Sequence, residues 1–147
     1  MVIDREPIFT VFRFFNKGIT ILKDMERNVV GWFEIPVKEL DRAKKFYSTV
    51  FEKKLTDMPM DDLEMATFDM VDDGPNSGGA LVKGEETTPS SSGTVVYFSC
   101  DDIQNELSRV EKSGGKIVFP KTSIGEYGFI AHIIDTEGNR IGLHSVN

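Results

Sequence analysis

The sequence predicts an α+β fold built from two copies of one strand–helix–strand–strand–strand unit. Three observations lead there. Residues 32–47 (Trp-Phe-Glu-Ile-Pro-Val-Lys-Glu-Leu-Asp-Arg-Ala-Lys-Lys-Phe-Tyr) read as a strand running straight into a helix. Phe33, Ile35 and Val37 alternate with Trp32, Glu34 and Pro36, after which Leu40, Ala43, Phe46, Tyr47 and Val50 recur at helical spacing. The pattern then returns: Val96 and Phe98 stand 63 residues after Phe33 and Ile35, and a helix with Ile103, Leu107 and Val110 on one face follows Asp101 and Asp102. Self-similarity at such a period marks a duplicated supersecondary unit.

In chain order, residues 1–24 have no duplicate. Their apolar stretch Ile8–Phe15 reads either as an added strand or arm, or as an extension upstream of a functional chain beginning near Met25. Asp4 and Glu6 stand where a secretory signal would carry positive charge. Residues 30–37 are the first strand and 39–51 the first helix. Leu55 to Met60 is a short edge strand, residues 63–71 a strand, and Asp72-Asp73-Gly74-Pro75-Asn76 a turn with both Gly and Pro to set it. Gly78 to Val82 closes the first unit. The linker contains Thr-Thr-Pro-Ser-Ser-Ser, without periodicity or bulky apolar residues. The second helix spans 102–113 and stops at Gly114-Gly115. Lys116–Phe119 is a short strand closed by Pro120, and residues 124–128 are a turn. Phe129–Ile134 and Arg140–Val146 are strands around the tight turn Asp135-Thr136-Glu137-Gly138-Asn139. The division is an N-terminal extension, 1–28, and a single domain, 29–147, made of modules 29–84 and 93–147 joined by linker 85–92.

With 147 residues, 39% of them hydrophobic and 28% charged, the chain holds one soluble domain with a real core. No apolar run approaches the roughly 18 residues of a membrane span. The net charge of −7 disfavours nucleic acid as a partner, since phosphate binding wants clustered Lys and Arg. Cys100 is the only cysteine and falls at an apolar alternating position, so it reads as a core residue in a reducing, cytoplasmic setting. Phosphate-cradling glycine motifs and a nucleophile elbow are absent from the sequence.

The strand–helix start Trp-Phe-Glu-Ile-Pro-Val-x-x-Leu-x-x-Ala-x-x-Phe-Tyr and the ending Asp135-Thr136-Glu137-Gly138-Asn139-Arg140-Ile141-Gly142-Leu143 resemble the vicinal oxygen chelate superfamily over residues 29–146. That superfamily contains glyoxalase I, extradiol dioxygenases, and fosfomycin- and bleomycin-resistance proteins; the nearest likeness is to the group of predicted enzymes related to lactoylglutathione lyase. The resemblance implies two βαβββ modules curling into a cup-like mixed β-barrel with helices outside. Alternation then turns Phe33, Ile35, Val37, Val96, Phe98, Cys100, Ile141 and Leu143 to the helices. Trp32, Glu34, Pro36, Val95, Tyr97, Ser99, Gly142 and His144 face the cup.

Metal-using members carry His or Glu on the first and last strands of each module. The matching positions here are Trp32, Val95 and Gly142, with a looser match near Ala80, and none of these side chains offers a ligand atom. The expectation is therefore no metal and no cofactor. Glu34, His144 and His132 could form a displaced site only if the fold gathers them. The reading carried forward is a metal-independent small-molecule binding protein, with Trp32, Glu34, Tyr97 and His144 binding the ligand. One alternative is a lyase or isomerase using Glu34 as base, its pKa raised by burial, with or without a metal at the displaced site. Another is a non-catalytic interaction module. A homodimer is expected, because family members often pair modules between chains and edge strands need cover.

Overall fold

The computed structural model describes residues 28–147. The apolar stretch Ile8–Phe15 lies outside the described residues. The chain divides into two units, Met1–Gly31 and Trp32–Asn147; the described part of the first, residues 28–31, carries neither helix nor strand. The second unit runs β1 (Trp32–Pro36), α1 (Leu40–Phe51), β2 (Leu55–Asp57), β3 (Glu64–Phe68), β4 (Gly78–Lys83), β5 (Val96–Ser99), α2 (Ile103–Val110), β6 (Lys116–Ser123), β7 (Phe129–Ile134) and β8 (Arg140–Ser145). Leu40 and Ile103 open the two helices 63 residues apart, the spacing of the sequence repeat.

The strands form two four-stranded mixed sheets, β1-β4-β3-β2 and β5-β8-β7-β6. In each, the strand before the helix lies parallel to the last strand of its module. Hydrogen bonding closes no barrel among the described strands; the two sheets meet through side chains instead. Phe33 on β1 and Phe98 on β5 stand edge to face, ring centres 5.9 Å apart, which sets these two sheet edges side by side. Phe98 also stacks on Phe51 of α1 at 4.3 Å. One apolar core results, built from Ile35, Val37, Phe46, Tyr47 and Leu81 of the first module and Ile103, Leu107, Ile133, Ile141 and Leu143 of the second. Of the helix-facing residues expected on β1, β5 and β8, Phe33, Ile35, Val37, Phe98, Cys100, Ile141 and Leu143 lie in this core or pack on it, while Val96 at the start of β5 is half-buried outside it.

Several element ends differ from the sequence reading: β1 is shorter at both ends, and the strand read as 63–71 ends at Phe68. β6 passes through Pro120 to Ser123. Proline is tolerated there because β6 is an edge strand, and its register with β7 slips on either side of Phe119. β2 stops at Asp57, although Met58 N–H still bonds Met65 C=O and an isolated bridge joins Met60 to Leu63. The second helix is α-helical only to Val110; Glu111–Ser113 tighten into a 3₁₀ turn before Gly114, whose φ of +94° suits glycine. Among the described residues no helix is long and apolar enough to cross a membrane.

The helix starts are held differently. Asp102 caps α2, its carboxylate accepting Gln104 N–H at 2.9 Å and the Lys121 ammonium at 2.8 Å. Its counterpart Glu39 makes no side-chain cap on α1. Glu137, from the β7–β8 turn, supplies one: its Oε1 accepts the N–H groups of Lys38 and Glu39, both at 2.8 Å, while Arg42 Nε bonds Oε2 at 2.7 Å. Asn139 donates to Pro36 C=O at 2.8 Å and accepts Ser90 N–H at 3.0 Å. A turn legible only as a turn is thus a buried polar clasp between the modules.

Candidate functional site

On the face opposite the helices, β-pairing sets the cup residues in rows. In the first sheet Glu34 pairs with Ala80, and Ala80 with Thr67. In the second sheet Tyr97 pairs with Gly142, Gly142 with His132, and His132 with Phe119. Ala80 and Gly142 thus occupy equivalent places, each flanked by the cup residue of its module's first strand.

The first sheet offers an apolar face. Met65, Ala80 and Val82 are buried together, and Trp32, Met58, Met60 and Leu63 pack on them. The Trp32 indole N–H donates to Glu34 Oε1 at 3.3 Å. Glu34 itself is exposed, so the burial expected of it is not met. Glu34 stands on β1, an edge strand of its sheet, whereas its pairing partner Ala80 on the interior strand β4 is fully buried.

The second sheet is aromatic and polar. Gly142 has no side chain, and a Cβ there would fall 2.5 Å from the Tyr97 ring. The phenol lies across β8 over this gap, and its Oη sits 2.6 Å from His132 Nε2. The Phe119 ring flanks the imidazole at 5.8 Å. Burial, and secondarily the Arg140 charge, hold the His132 pKa below the ordinary value, so the ring is neutral near pH 7. His144 Nε2 lies 2.7 Å from the carbonyl of Tyr127 in the rim turn Gly125–Tyr127. A carbonyl only accepts, so the hydrogen of His144 is on Nε2. Ser99 on β5 accepts from Asn76 Nδ2 at 3.4 Å, a contact from the β3–β4 turn of the first module.

Of the expected ligand-binding residues, Trp32 and Glu34 are thus joined on one sheet, and Tyr97 and His144 stand on the other with separate partners. His132, whose facing the sequence left open, joins Tyr97. Ala131 and Ile133 are buried on either side of it, and that alternation was the available signal. Phe119 and the methionines of the apolar face were not singled out from the sequence, because methionine periodicity in a strand reads equally as core.

The metal positions of the wider family can be tested on donor chemistry. Ala80 and Gly142 carry no donor, and Trp32 and Val95 offer none. Among the described residues no three His, Cys, Asp or Glu side chains gather where they could hold an ion. The residues present do not fit a metal at those positions.

Comparison with known proteins agrees with the fold. The model of the Glyoxalase/Bleomycin resistance protein/Dioxygenase superfamily matches residues 29–143. A glyoxylase-like domain-containing protein of Didymella fabae is 32% identical over 114 residues, covering 75% of this chain and 88% of that protein. The putative glyoxylase CFP32 of Mycobacterium bovis is 25% identical over 132 residues, covering 80% of this chain; the chain spans 45% of that relative's length. Among solved structures, TnmS3, an antibiotic binding protein from Streptomyces sp. CB03234, superposes with a TM-score of 0.60 at 25% identity, covering 82% of this chain and 98% of that one. With two mixed sheets, a helix after the first strand of each module, and this match over most of its length, the chain belongs to the glyoxalase/bleomycin resistance protein/dioxygenase superfamily.

Proposed function

We propose that this chain is a small-molecule-binding member of its superfamily that holds an aromatic ligand in the cup without a metal ion. One observation carries this reading: the position where metal-using members of the family carry a ligand is Gly142, and its space is taken by the Tyr97 ring. Trp32 and the methionine face supply apolar contact, and Glu34, Tyr97 and His144 supply polar anchors. Similarity to an antibiotic binding protein supports the same class. The chain is read as a cytoplasmic homodimer, with the edge strands β2 and β6 in need of cover.

Native mass spectrometry of protein purified without chelator tests metal, retained ligand and subunit number together. A metal-free dimer is expected; a stoichiometric metal overturns the metal-free reading. Trp32 is the only tryptophan, so its fluorescence reports occupancy directly in a screen of aromatic compounds. A second reading, a lyase or isomerase with Glu34 as base, is favoured by the exposed Glu34 carboxylate beside Trp32 and by the glyoxylase-named relatives. Glu34→Gln would then abolish turnover with the fold intact, and unchanged turnover removes Glu34 as the base.

A further inference from the structure

Tyr97 and His132 are not neighbours in the sheet. β8 runs between them, and the residue both pair with is Gly142. Their contact exists because Gly142 leaves the space over β8 open. At 2.6 Å it is short for an N···O hydrogen bond, whose usual range begins at about 2.7 Å. Two arrangements are possible. The phenol can donate to Nε2, or an Nε2–H can donate to the phenol oxygen. A phenol is the stronger acid and a neutral imidazole nitrogen the better base, so the first is the stronger bond. The flanking strands bring Tyr97 from β5, Arg140 and His144 from β8, and Lys116 and Lys121 from β6. Lys121 is paired with Asp102, and Arg140 is the charge that disfavours the imidazolium. Nε2 therefore keeps its lone pair at neutral pH. Tyr97 remains 45% exposed, and with its one hydrogen committed to His132 its oxygen turns only lone pairs to the cup.

We infer that Tyr97 and His132 form a hydrogen-bond-accepting anchor that selects ligands presenting a hydroxyl or N–H on an aromatic body, with His132 as the positioning residue. This rests on the cup being a small-molecule site. Phe119 beside His132 extends the aromatic surface next to the anchor. Protonation of His132 inverts the selection. An imidazolium must donate to Tyr97 Oη, the phenol hydrogen then turns to the cup, and the ligand must accept.

The test compares 2-naphthol with 2-methoxynaphthalene by titration calorimetry, since the two share a ring system and differ in the donor hydrogen. At about pH 7.5 the naphthol binds roughly fivefold more tightly, the weight of one net hydrogen bond. As the pH is lowered through the depressed His132 value, that preference disappears or reverses. Tyr97→Phe and His132→Ala each bring the ratio at about pH 7.5 close to one; a merely structural His132 would lower stability and leave the ratio alone. Nitrogen NMR of the free protein shows His132 with its hydrogen on Nδ1. Equal affinities in the native protein, or a hydrogen on Nε2 at neutral pH, overturn the anchor and leave the cup reading standing. A folded protein that binds neither naphthalene, nor any compound of the aromatic screen, overturns the cup reading and the anchor with it.

Discussion

Tyr47 and Asp135 lie 88 residues apart in the chain, and the Tyr47 hydroxyl donates to Asp135 Oδ2 at 2.6 Å with both side chains buried. The bond ties the first helix to the turn before the last strand. Asp135 also accepts the N–H groups of Glu137 and Asn139, so it holds the turn in the shape that presents Glu137 to α1. Tyr47→Phe leaves the packing with Phe46 and Phe51 in place and removes one donor from a buried carboxylate. The expected loss is about 1–3 kcal/mol by denaturant unfolding. An unchanged midpoint would show that Asn139 and the backbone satisfy Asp135 alone.

Glu137 makes the clasp sensitive to acid. Burial by itself would raise its pKa. The hydrogen bonds from Arg42, the Glu39 and Lys38 N–H groups and the Thr136 hydroxyl outweigh that and hold it at about 2, from an ordinary 4.5. Its folded pKa is depressed, so between these values the unfolded chain binds more protons and stability decreases as the pH is lowered. The contribution is whole above about 4.5 and lost as pH falls through about 2. Glu137→Gln is expected to cost about 2–4 kcal/mol near neutrality, since Arg42 and the start of α1 lose their anion. The same variant should flatten the acid limb of a stability-against-pH curve, and an unaltered slope would assign that limb to other carboxylates.

Gly142 is predicted to tolerate a methyl group poorly. An alanine Cβ would press on the Tyr97 ring at 2.5 Å from within a strand paired on both sides. The ring must turn away and the bond to His132 is lost. A stability loss of about 1–3 kcal/mol is expected, with a changed His132 imidazole resonance. An unchanged resonance would mean that the backbone of β8 yields instead.

Cys100 should be chemically quiet. Burial, and after it the charge and hydrogen bond of Glu106, push the thiol up to about 12. Little thiolate exists at neutral or mildly basic pH, so alkylation of the folded protein by iodoacetamide should be slower than that of the unfolded chain by orders of magnitude. Comparable rates in the two states would place the thiol in an open, electropositive setting that the fold does not provide.

The duplication was legible because each module writes its burial locally. Phe33, Ile35 and Val37 alternate along a strand, and Ala43, Phe46, Tyr47 and Val50 recur along a helix, since an element that buries one face must repeat apolar residues at its own period. The same rule turns Tyr97 and His144 away from the helices, since each alternates with a core residue of its strand. It failed at Pro120, because whether a strand continues past a proline depends on which neighbour lies on that side, and β6 has none.

Fold class, repeat, most strand faces and the lack of ligand atoms at Trp32, Ala80, Val95 and Gly142 were legible from residue type and spacing along single elements. It takes the packed sheets to make Glu137 cap a helix nearly a hundred residues away, to leave Glu34 exposed, and to bring Tyr97 to His132 across Gly142. These depend on which strands become neighbours and on a side chain that is missing between them. A contact of that kind leaves no period in the chain, because its two halves are related by sheet order and not by sequence distance.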